Sequence, residues 1–211
     1  MSSKSRQDLE NWLKTIDVSG NVLDIGGSQY PIKGRTKSWN IKSYKILDLE
    51  NPHECKQKSD YICDLNDIYA DYNIDNRFTI EDKDKRKKFK NYNEFDIIFC
   101  IEVMEYIYRP FEFFEAIKND FLKKDGILYI SFHTLYGLHN PKGEDCLRYT
   151  KNAIYKLAEN TGFKIEKIIT KELTPYGKHL YLNFCKAEGM RLDYKDNQTY
   201  DEGYLVIMRK I

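Results

Sequence analysis

Val22-Leu23-Asp24-Ile25-Gly26-Gly27-Ser28 is the stretch that decides the fold class of this chain. An apolar run ends in an acid and passes directly into two glycines, a pattern typical of a buried strand that opens into a tight loop. Glycines at such a position let the backbone approach a ligand closely, because no Cβ stands in the way. The stretch therefore predicts a strand of an open α/β sheet with a ligand site at its end.

Two later apolar runs also end in acidic residues. Residues 44–48 end in Asp48, and residues 61–64 end in Asp64. Because the carboxyl ends of parallel strands meet at one edge of a sheet, the three acids would lie side by side where open α/β folds bind their ligands. A fourth run over 95–100 fits the same sheet. The order predicts an α/β chain with a Rossmann-like, doubly wound architecture.

Helices and strands alternate along the rest of the chain. Apolar side chains at helical spacing predict a leading helix over 9–16, and Pro110 opens an amphipathic helix that runs to residue 122. Thr150 is placed to cap a third helix, which Gly162 ends. Further strands are expected over 127–132, 163–169 and 203–208, with a turn at 123–126 before the first of them.

Charge and composition argue against several classes of protein. The chain carries 34 Lys and Arg against 33 Asp and Glu, so no overall positive field favours nucleic acid. Its five cysteines are scattered and include no C-x-x-C pair, which argues against a metal site and against a disulfide scaffold. No signal segment is recognisable and no run approaches the roughly 18 apolar residues of a membrane span. These features predict a cytoplasmic protein with a single domain over 1–211 and no bound metal.

Two segments depart from the alternating pattern. Residues 71–93 are rich in Lys, Asp and Asn, and the part from 81 to 90 has no aliphatic residue, so we expect a polar insertion. Residues 171–202 interleave aromatic with polar side chains over a length that is unusual for a loop without a function. We expect this second segment to be a lid over the site or a homodimer contact.

The order of the motifs resembles the class I S-adenosylmethionine-dependent methyltransferases. The first strand of that family typically reads Val-Leu-Asp-x-Gly-x-Gly-x-Gly, and Asp24, Gly26 and Gly27 fall on or within it. Ser28 stands where the second glycine is usual, and Tyr30 where the third is. The resemblance implies a mostly parallel seven-stranded sheet with the last strand antiparallel. It also implies S-adenosyl-L-methionine as the cofactor.

The resemblance covers about residues 21–163 and implies a role for each strand end. Asp48 matches the acid that holds the ribose hydroxyls, and Asp64 with Leu65 matches the pair that reads the adenine. Many relatives carry His where Tyr106 stands, so the resemblance supports no catalytic role there. The cofactor-binding residues predicted in this way are Asp24, Gly26, Gly27, Ser28, Asp48, Leu49, Asp64, Leu65, Cys100, Ile101 and Glu102.

The loop over 133–150 is the predicted acceptor site. Methyl transfer is an in-line displacement, so the protein must align donor and acceptor and sometimes remove a proton from the acceptor. His139 and His133 are the candidate bases, because an unperturbed imidazole is mostly neutral at pH 7. Arg148 is the candidate clamp on an anionic acceptor. Two of them have a structural alternative: His133 could hydrogen-bond to backbone, and Arg148 could pair only with Asp145.

The end of this loop, Asp145-x-x-Arg148-Tyr149-Thr150, resembles a pattern in small methyltransferases encoded with surface-polysaccharide genes. It implies O-methylation of a small polar or anionic acceptor, such as a sugar, a nucleotide-linked sugar or a phosphate or phosphoramidate intermediate of a capsular polysaccharide. Two alternatives stay open. One is a nucleic-acid or protein methyltransferase, against which stand the balanced charge and the lack of an Asn/Asp-Pro-Pro-Tyr/Phe motif. The other is a non-catalytic Rossmann-like partner protein.

Overall fold

The computed structural model describes residues 3–67, 93–135, 137–138, 144–190 and 201–211, and a sheet forms the centre of this described part. Its strands are β1 (Asp17–Ile25), β2 (Ser38–Asp48), β3 (Tyr61–Ile62), β4 (Phe95–Cys100), β5 (Leu122–His133), β6 (Phe163–Glu172) and β7 (Asp201–Lys210). Their spatial order is β3-β2-β1-β4-β5-β7-β6, and β7 alone among them runs antiparallel to its neighbours. The predicted seven-stranded, mostly parallel sheet with an antiparallel last strand is confirmed.

Helices cover both faces of the sheet. They are α1 (Lys4–Leu13), a 3₁₀ helix (Met104–Tyr106), α2 (Pro110–Ala116), α3 (Lys151–Thr161) and α4 (Pro175–Ala187). Leu9 and Trp12 of α1 pack in a cluster on one face. Phe113 of α2 and Ile154 of α3 belong to a larger cluster on the other face. Packing on both faces makes the sheet doubly wound, as the sequence predicts.

The predicted helix boundaries near the acceptor loop agree with the structure. Thr150 is the N-cap of α3, and its side chain accepts a hydrogen bond from the backbone N–H of Ala153 at 3.3 Å. Gly162 ends the helix in the left-handed conformation, with φ of +71°, which favours glycine. The helix that Pro110 opens changes at Ile117–Phe121 into a π-helical turn before β5 begins.

The connection from β1 to β2 contains no helix. Residues 26–37 form successive turns instead. The backbone N–H of Ile32 donates to the buried carboxylate of Asp24 at 2.8 Å, which closes the loop back onto the strand that precedes it. Pro31 has no N–H to contribute to a helix at this point. A loop closed by the carboxylate of Asp24 therefore connects these two strands.

The expected turn at 123–126 is an excursion within β5. Between the positions that pair with Phe95 and Ile97 of β4, strand β5 has four residues opposite one. Asp125 has φ of +62°, and its carbonyl accepts a hydrogen bond from Nη1 of Arg209 at 2.7 Å. A bulge of this kind bends a strand without ending it. The strand therefore starts earlier than the sequence pattern indicates.

The two predicted insertions are only partly visible. The segment 71–93 lies outside the described residues except for Asn93. In the other, β6 continues to Glu172 and α4 follows, a helix that the aromatic pattern did not indicate. Residues 191–200 again lie outside the described part. A lid or a homodimer contact stays a prediction. None of the described helices is long and apolar enough to cross a membrane.

Candidate functional site

A cavity of about 770 Å³ opens at the carboxyl edge of the sheet. Strands β1 to β4 run parallel, so the loops that follow them meet at this edge. Six of the predicted cofactor-binding residues line the cavity, namely Gly26, Asp48, Leu49, Asp64, Leu65 and Glu102. The structure therefore brings the ends of β1, β2, β3 and β4 together around one space.

Gly26 forms the floor of the cavity and has no room for a side chain. Its φ is +74°, in the left-handed region that favours glycine. A Cβ at this position would lie 2.5 Å from Cγ2 of Val103, which is a further lining residue. The N–H of Gly26 donates to the carbonyl of Leu47 at 2.9 Å. The glycine therefore allows the loops after β1 and β4 to approach each other.

The carboxylate of Asp48 is held in place by two backbone groups. Oδ2 accepts a hydrogen bond from the N–H of Ser28 at 3.0 Å, and Oδ1 accepts one from the N–H of Leu49 at 2.9 Å. Each oxygen keeps a further lone pair for a ligand hydroxyl. Ser28 itself is fully buried, with its hydroxyl 2.9 Å from that of Ser59. Ser28 thus supports Asp48 and does not line the cavity.

Asp64 and the two residues after it also line the cavity. Oδ1 of Asp64 accepts a hydrogen bond from the N–H of Asn66 at 2.9 Å, while Leu65 is buried beside it. Nδ2 of Asn66 donates to the carbonyl of Tyr106 at 3.0 Å, and Oδ1 accepts from the N–H of Tyr108 at 2.9 Å. Asn66 therefore joins two walls of the cavity. Its partners are backbone groups distant in sequence, so no sequence signal marks this role.

Asp24 and Gly27 lie behind the cavity. The buried carboxylate of Asp24 accepts hydrogen bonds from the hydroxyl of Tyr44 at 2.6 Å and from the N–H of Ile32 at 2.8 Å. Burial raises the pKa of Asp24 to about 6, and its two hydrogen bonds oppose that shift. A Cβ on Gly27 would stand 2.5 Å from Oδ2 of Asp24. Both residues shape the loop after β1 and do not face the cavity.

The end of β4 connects the cavity to α1. Cys100 is fully buried, and burial raises the pKa of its thiol. Ile101 packs against the cluster on the α1 face. Glu102 has φ of +57°, and its N–H donates to the hydroxyl of Ser131 at 2.7 Å. The carboxylate of Glu102, which lines the cavity, accepts a hydrogen bond from Nη1 of Arg6 at 3.0 Å.

Acidic side chains dominate the charged residues that line the cavity. Five carboxylates line it, from Asp48, Glu54, Asp64, Glu102 and Glu144, and no lysine or arginine stands among its described lining residues. A cleft lined by charges of one sign concentrates ligands of the opposite sign. This cavity therefore favours a ligand that carries positive charge over a polyanion such as a dinucleotide.

Two of the predicted acceptor residues, His133 and Arg148, are not among the residues that line this cavity. His133 is the last residue of β5 and is buried, with Nε2 3.4 Å from Oε1 of the equally buried Glu105. Arg148 pairs with Asp145 through both ends of its guanidinium, and its Nη2 also donates to the carbonyl of Gly137 at 3.0 Å. The hydrogen bond to Asp145 raises the pKa of Arg148. His139 lies outside the described residues.

Hydrogen bonds connect the segment 144–150 to the loop after β4. The N–H groups of Cys146 and Leu147 donate to the carbonyl of Glu105 at 2.7 and 3.0 Å. The hydroxyl of Tyr149 donates to the carbonyl of Met104 at 3.1 Å. The motif that ends at residue 150 therefore has a packing role in the structure. Asp145 and Arg148 form an ion pair, which is the structural alternative that the sequence leaves open for Arg148.

Comparison with known proteins gives a short sequence match and broad fold matches. No family model matches the chain. A ubiquinone biosynthesis O-methyltransferase from Glaesserella parasuis serovar 5 (strain SH0165) is 40% identical over 55 residues. The matched segment spans 26% of this chain and only 23% of the relative.

Solved structures match almost the whole chain at low identity. A candidate methyltransferase from Bacillus halodurans C-125 has a TM-score of 0.59 and 15% identity, covering 98% of this chain and 99% of its own. An S-adenosylmethionine-dependent methyltransferase from Mesorhizobium loti has a TM-score of 0.56 and 11% identity, covering 98% of each chain. One from Archaeoglobus fulgidus has a TM-score of 0.55 and 13% identity, covering 98% of this chain and 92% of its own. The chain thus has the fold of the class I S-adenosylmethionine-dependent methyltransferases.

Proposed function

We propose that this protein is an S-adenosylmethionine-dependent methyltransferase that transfers the methyl group to an oxygen of a small polar or anionic acceptor. The observation that carries the proposal is the acidic cavity at the carboxyl edge. Asp48 and Asp64 both line it, after the neighbouring strands β2 and β3, and Gly26 lines it as well. Two oriented carboxylates and a closely approaching backbone suit a nucleoside with hydroxyl and amine donors.

The described residues fit the cofactor in size and in charge. A volume of about 770 Å³ lies in the usual range of about 300–1,000 Å³ for ligand pockets. Asp48 would accept hydrogen bonds from the ribose hydroxyls, and Asp64 from the adenine amine with Leu65 against the ring. The cofactor, when bound, supplies a methyl group on a positively charged sulfur. The five carboxylates of the lining favour that positive charge.

Contacts within the chain hold the walls of the cavity in place. Gly26 and Val103 close the floor of the cavity, and Asn66 fixes the two loops beside it. An anionic acceptor oxygen needs no base, whereas a hydroxyl has to lose a proton. His139 stays the proposed base for a hydroxyl acceptor. His133 and Arg148 would act on the acceptor only after leaving their partners Glu105 and Asp145.

Transfer to oxygen is supported by one comparison and one sequence feature. The short sequence match is to a protein named as an O-methyltransferase. The Asn/Asp-Pro-Pro-Tyr/Phe motif suits methylation of base amines. The chain lacks this motif after β4, where Ile101 and Glu102 follow instead. An acceptor from capsular polysaccharide synthesis rests on the motif at 145–150 alone. It is kept as the narrower hypothesis within this proposal.

Binding calorimetry tests the proposal. S-adenosylmethionine and its demethylated product should bind the wild-type protein, and NAD should not. Asp48→Ala and Asp64→Ala each remove a hydrogen bond to a charged acceptor, so affinity should fall about 10–100-fold in each. Asp17→Ala is the matched control, because Asp17 begins β1 at the opposite edge of the sheet. No binding at all would favour the non-catalytic partner protein, whereas wild-type affinity in both cavity variants would show that Asp48 and Asp64 do not hold the cofactor.

A further inference from the structure

The cavity is also lined by residues that the proposed contacts to the nucleoside do not use. Those contacts come from Asp48, Asp64 and Leu65, which follow β2 and β3. Tyr106 lies after β4 and Glu144 after β5, and both are lining residues. Because β1 lies between β2 and β4 in the strand order, Tyr106 and Glu144 come from the other half of the sheet. They are therefore available for contact with the acceptor.

Backbone hydrogen bonds hold Glu144 near Tyr106. The N–H groups of Cys146 and Leu147 donate to the carbonyl of Glu105, at 2.7 and 3.0 Å. Glu144 is two residues from one end of this connection, and Tyr106 is one residue from the other. Burial raises the pKa of the Tyr106 phenol. Four carboxylates raise that pKa further, those of Glu105, Asp145, Glu102 and Glu144.

The carboxylate of Glu144 differs from the other three in its surroundings. Each of the others has a cation or an imidazole beside it, and the pairs are Glu102 with Arg6, Glu105 with His133 and Asp145 with Arg148. No salt bridge joins Glu144 to another residue in the part of the chain that the structure describes, and the residue is exposed. The negative charge of Glu144 is therefore available to a ligand in the cavity.

Aromatic rings line the same cavity. Tyr106 and Tyr108 are both lining residues. The guanidinium of Arg109 lies 5.8 Å from the ring centre of Tyr108, so we assign contact with a ligand to Tyr106. The face of an aromatic ring attracts a cation, and the attraction grows where water is excluded. A tyrosine ring beside a carboxylate suits an ammonium group, whereas the same carboxylate repels an anion.

We propose that the methyl acceptor carries a positively charged amino group, which Glu144 and the ring of Tyr106 bind. This proposal rests on the methyltransferase function proposed above and narrows its acceptor to a polar molecule with an ammonium group. The ammonium group anchors the acceptor and takes no part in the transfer, which goes to an oxygen of the same molecule. The absence of lysine and arginine from the described lining agrees with a cationic acceptor.

Titration with three small probes tests the proposal. Ethanolamine, ethylene glycol and glycolate are similar in size, each has a hydroxyl group, and at pH 7 they are cationic, neutral and anionic. Protein loaded with S-adenosylhomocysteine is titrated at constant ionic strength and followed by nuclear magnetic resonance. Ethanolamine should bind about 10–30-fold more tightly than ethylene glycol, and glycolate should bind most weakly. No binding of ethanolamine, or equal binding of ethanolamine and ethylene glycol, overturns the proposal.

Two substitutions test the residues named. Glu144→Gln keeps the size of the side chain and removes its charge, so ethanolamine should bind about 3–10-fold more weakly. Tyr106→Leu removes the ring and should cost about 3–10-fold, whereas Tyr106→Phe keeps the ring and should cost less than about 3-fold. Wild-type affinity in Glu144→Gln contradicts the proposal, and so does an equal loss in Tyr106→Phe and Tyr106→Leu.

Two further glutamates provide matched controls. Glu159→Gln removes an exposed charge on α3, where Glu159 pairs with Lys156, and should leave the affinity for ethanolamine unchanged. Glu54 lines the cavity after β2 and accepts a hydrogen bond from Nε2 of Gln29 at 3.1 Å. Glu54→Gln should cost less than about 2-fold, because Glu54 does not contact the ammonium group. A loss as large as that in Glu144→Gln would mean that only the overall charge of the cavity attracts the probe.

The affinities for the cofactor and its product separate this proposal from the proposed function. If the wild type binds no S-adenosylhomocysteine, the proposed function fails. If it binds S-adenosylhomocysteine and shows no preference for ethanolamine, the ammonium site fails alone. Glu144→Gln and Tyr106→Leu should leave the affinities for S-adenosylmethionine and S-adenosylhomocysteine unchanged. A loss for S-adenosylmethionine alone would show that these residues serve its positively charged sulfur, and it would overturn their assignment to the acceptor.

Discussion

The hydroxyl of Tyr44 donates a 2.6 Å hydrogen bond to Oδ2 of Asp24, and this contact joins β2 to the buried acid of β1. The same carboxylate oxygen accepts the N–H of Ile32 and so closes the loop that begins at Gly26. Asp24 therefore holds the loop after β1 through hydrogen bonds and does not itself line the cavity. Asp48, at the end of the next strand, faces the cavity instead.

Tyr44→Phe should destabilise the protein by about 1.5–3 kcal/mol, the usual range for a hydrogen bond to a charged group. Burial raises the pKa of Tyr44, so its hydroxyl stays protonated and donates at every pH of interest. The free energy of unfolding in urea measures the loss. Tyr155→Phe, on the exposed side of α3, is the control and should change it by under about 0.5 kcal/mol. Equal stability of the two variants would contradict the role given to this contact.

Asp24→Asn should alter the pH dependence of stability. The pKa of Asp24 is about 6 in the folded protein against 3.8 in a model peptide. The protonated form is therefore favoured by folding, and its contribution is complete below pH 3.8 and is lost as the pH rises through 6. Asn does not titrate. Wild-type stability should accordingly fall by about 3 kcal/mol relative to Asp24→Asn between pH 4 and 7.

Asp17→Asn gives the opposite sign and serves as the control for this measurement. A hydrogen bond from Lys37 lowers the pKa of Asp17, which lies exposed at the other end of β1. Its contribution should therefore be present near neutral pH and be lost as the pH falls below the ordinary range of aspartate. Urea unfolding at several pH values, from 3 to 7, compares the variants. A pH-independent difference between wild type and Asp24→Asn would rule out a raised pKa.

Much of the fold could be predicted because its signals are local. The acids after residues 23, 47 and 63 and the glycines after residue 25 mark strand ends. Caps at Thr150 and Gly162 are equally local. The sequence analysis does not indicate helix α4, whose apolar side chains are mostly exposed and whose one buried residue is Cys185.

The candidate site could be predicted only where side chains face the cavity. Asp48 and Asp64, which line the cavity, are predictable because each acid closes an apolar run of the sequence. Asp24 and Ser28 come from the same motif but contact other parts of the chain, and the sequence does not show in which direction a side chain points. Asn66 has no sequence signal because its partners, the backbone groups of Tyr106 and Tyr108, are distant in sequence. Contacts between distant segments of this kind leave no local pattern.

Gly26→Ala should weaken cofactor binding by displacing Val103. The new methyl group would stand 2.5 Å from Cγ2 of Val103 and also adopt an unfavourable φ of +74°. Gly34→Ala is a matched control, because Gly34 has φ of +84° and no atom within 4 Å of its Cβ position. Both changes should destabilise the protein by about 1–2 kcal/mol. Affinity for S-adenosylhomocysteine should fall in Gly26→Ala alone.

A second substitution separates the collision from the backbone strain. Adding Val103→Ala to Gly26→Ala removes the methyl group that the new Cβ would strike. Calorimetry should then show recovery of most of the lost affinity, although the strain of the positive φ remains. Equal losses in Gly26→Ala and Gly34→Ala would mean that the floor of the cavity is not at Gly26.

Arg148→Ala should destabilise the protein by about 3–5 kcal/mol, because it leaves a buried carboxylate without its cation. The side chain of Asp145 is 1% exposed, and both of its oxygens contact the guanidinium of Arg148. The double variant Asp145→Ala with Arg148→Ala should regain part of the loss, since no unpaired charge remains. Urea unfolding of the two single variants and the double variant gives the coupling energy of the pair, expected at about 1.5–3 kcal/mol. Arg148→Lys should restore only part of the stability, because an ammonium cannot contact both oxygens in parallel. Full stability in Arg148→Ala would contradict a structural role for this arginine. It would favour the role that the sequence predicts, which is binding of an anionic acceptor.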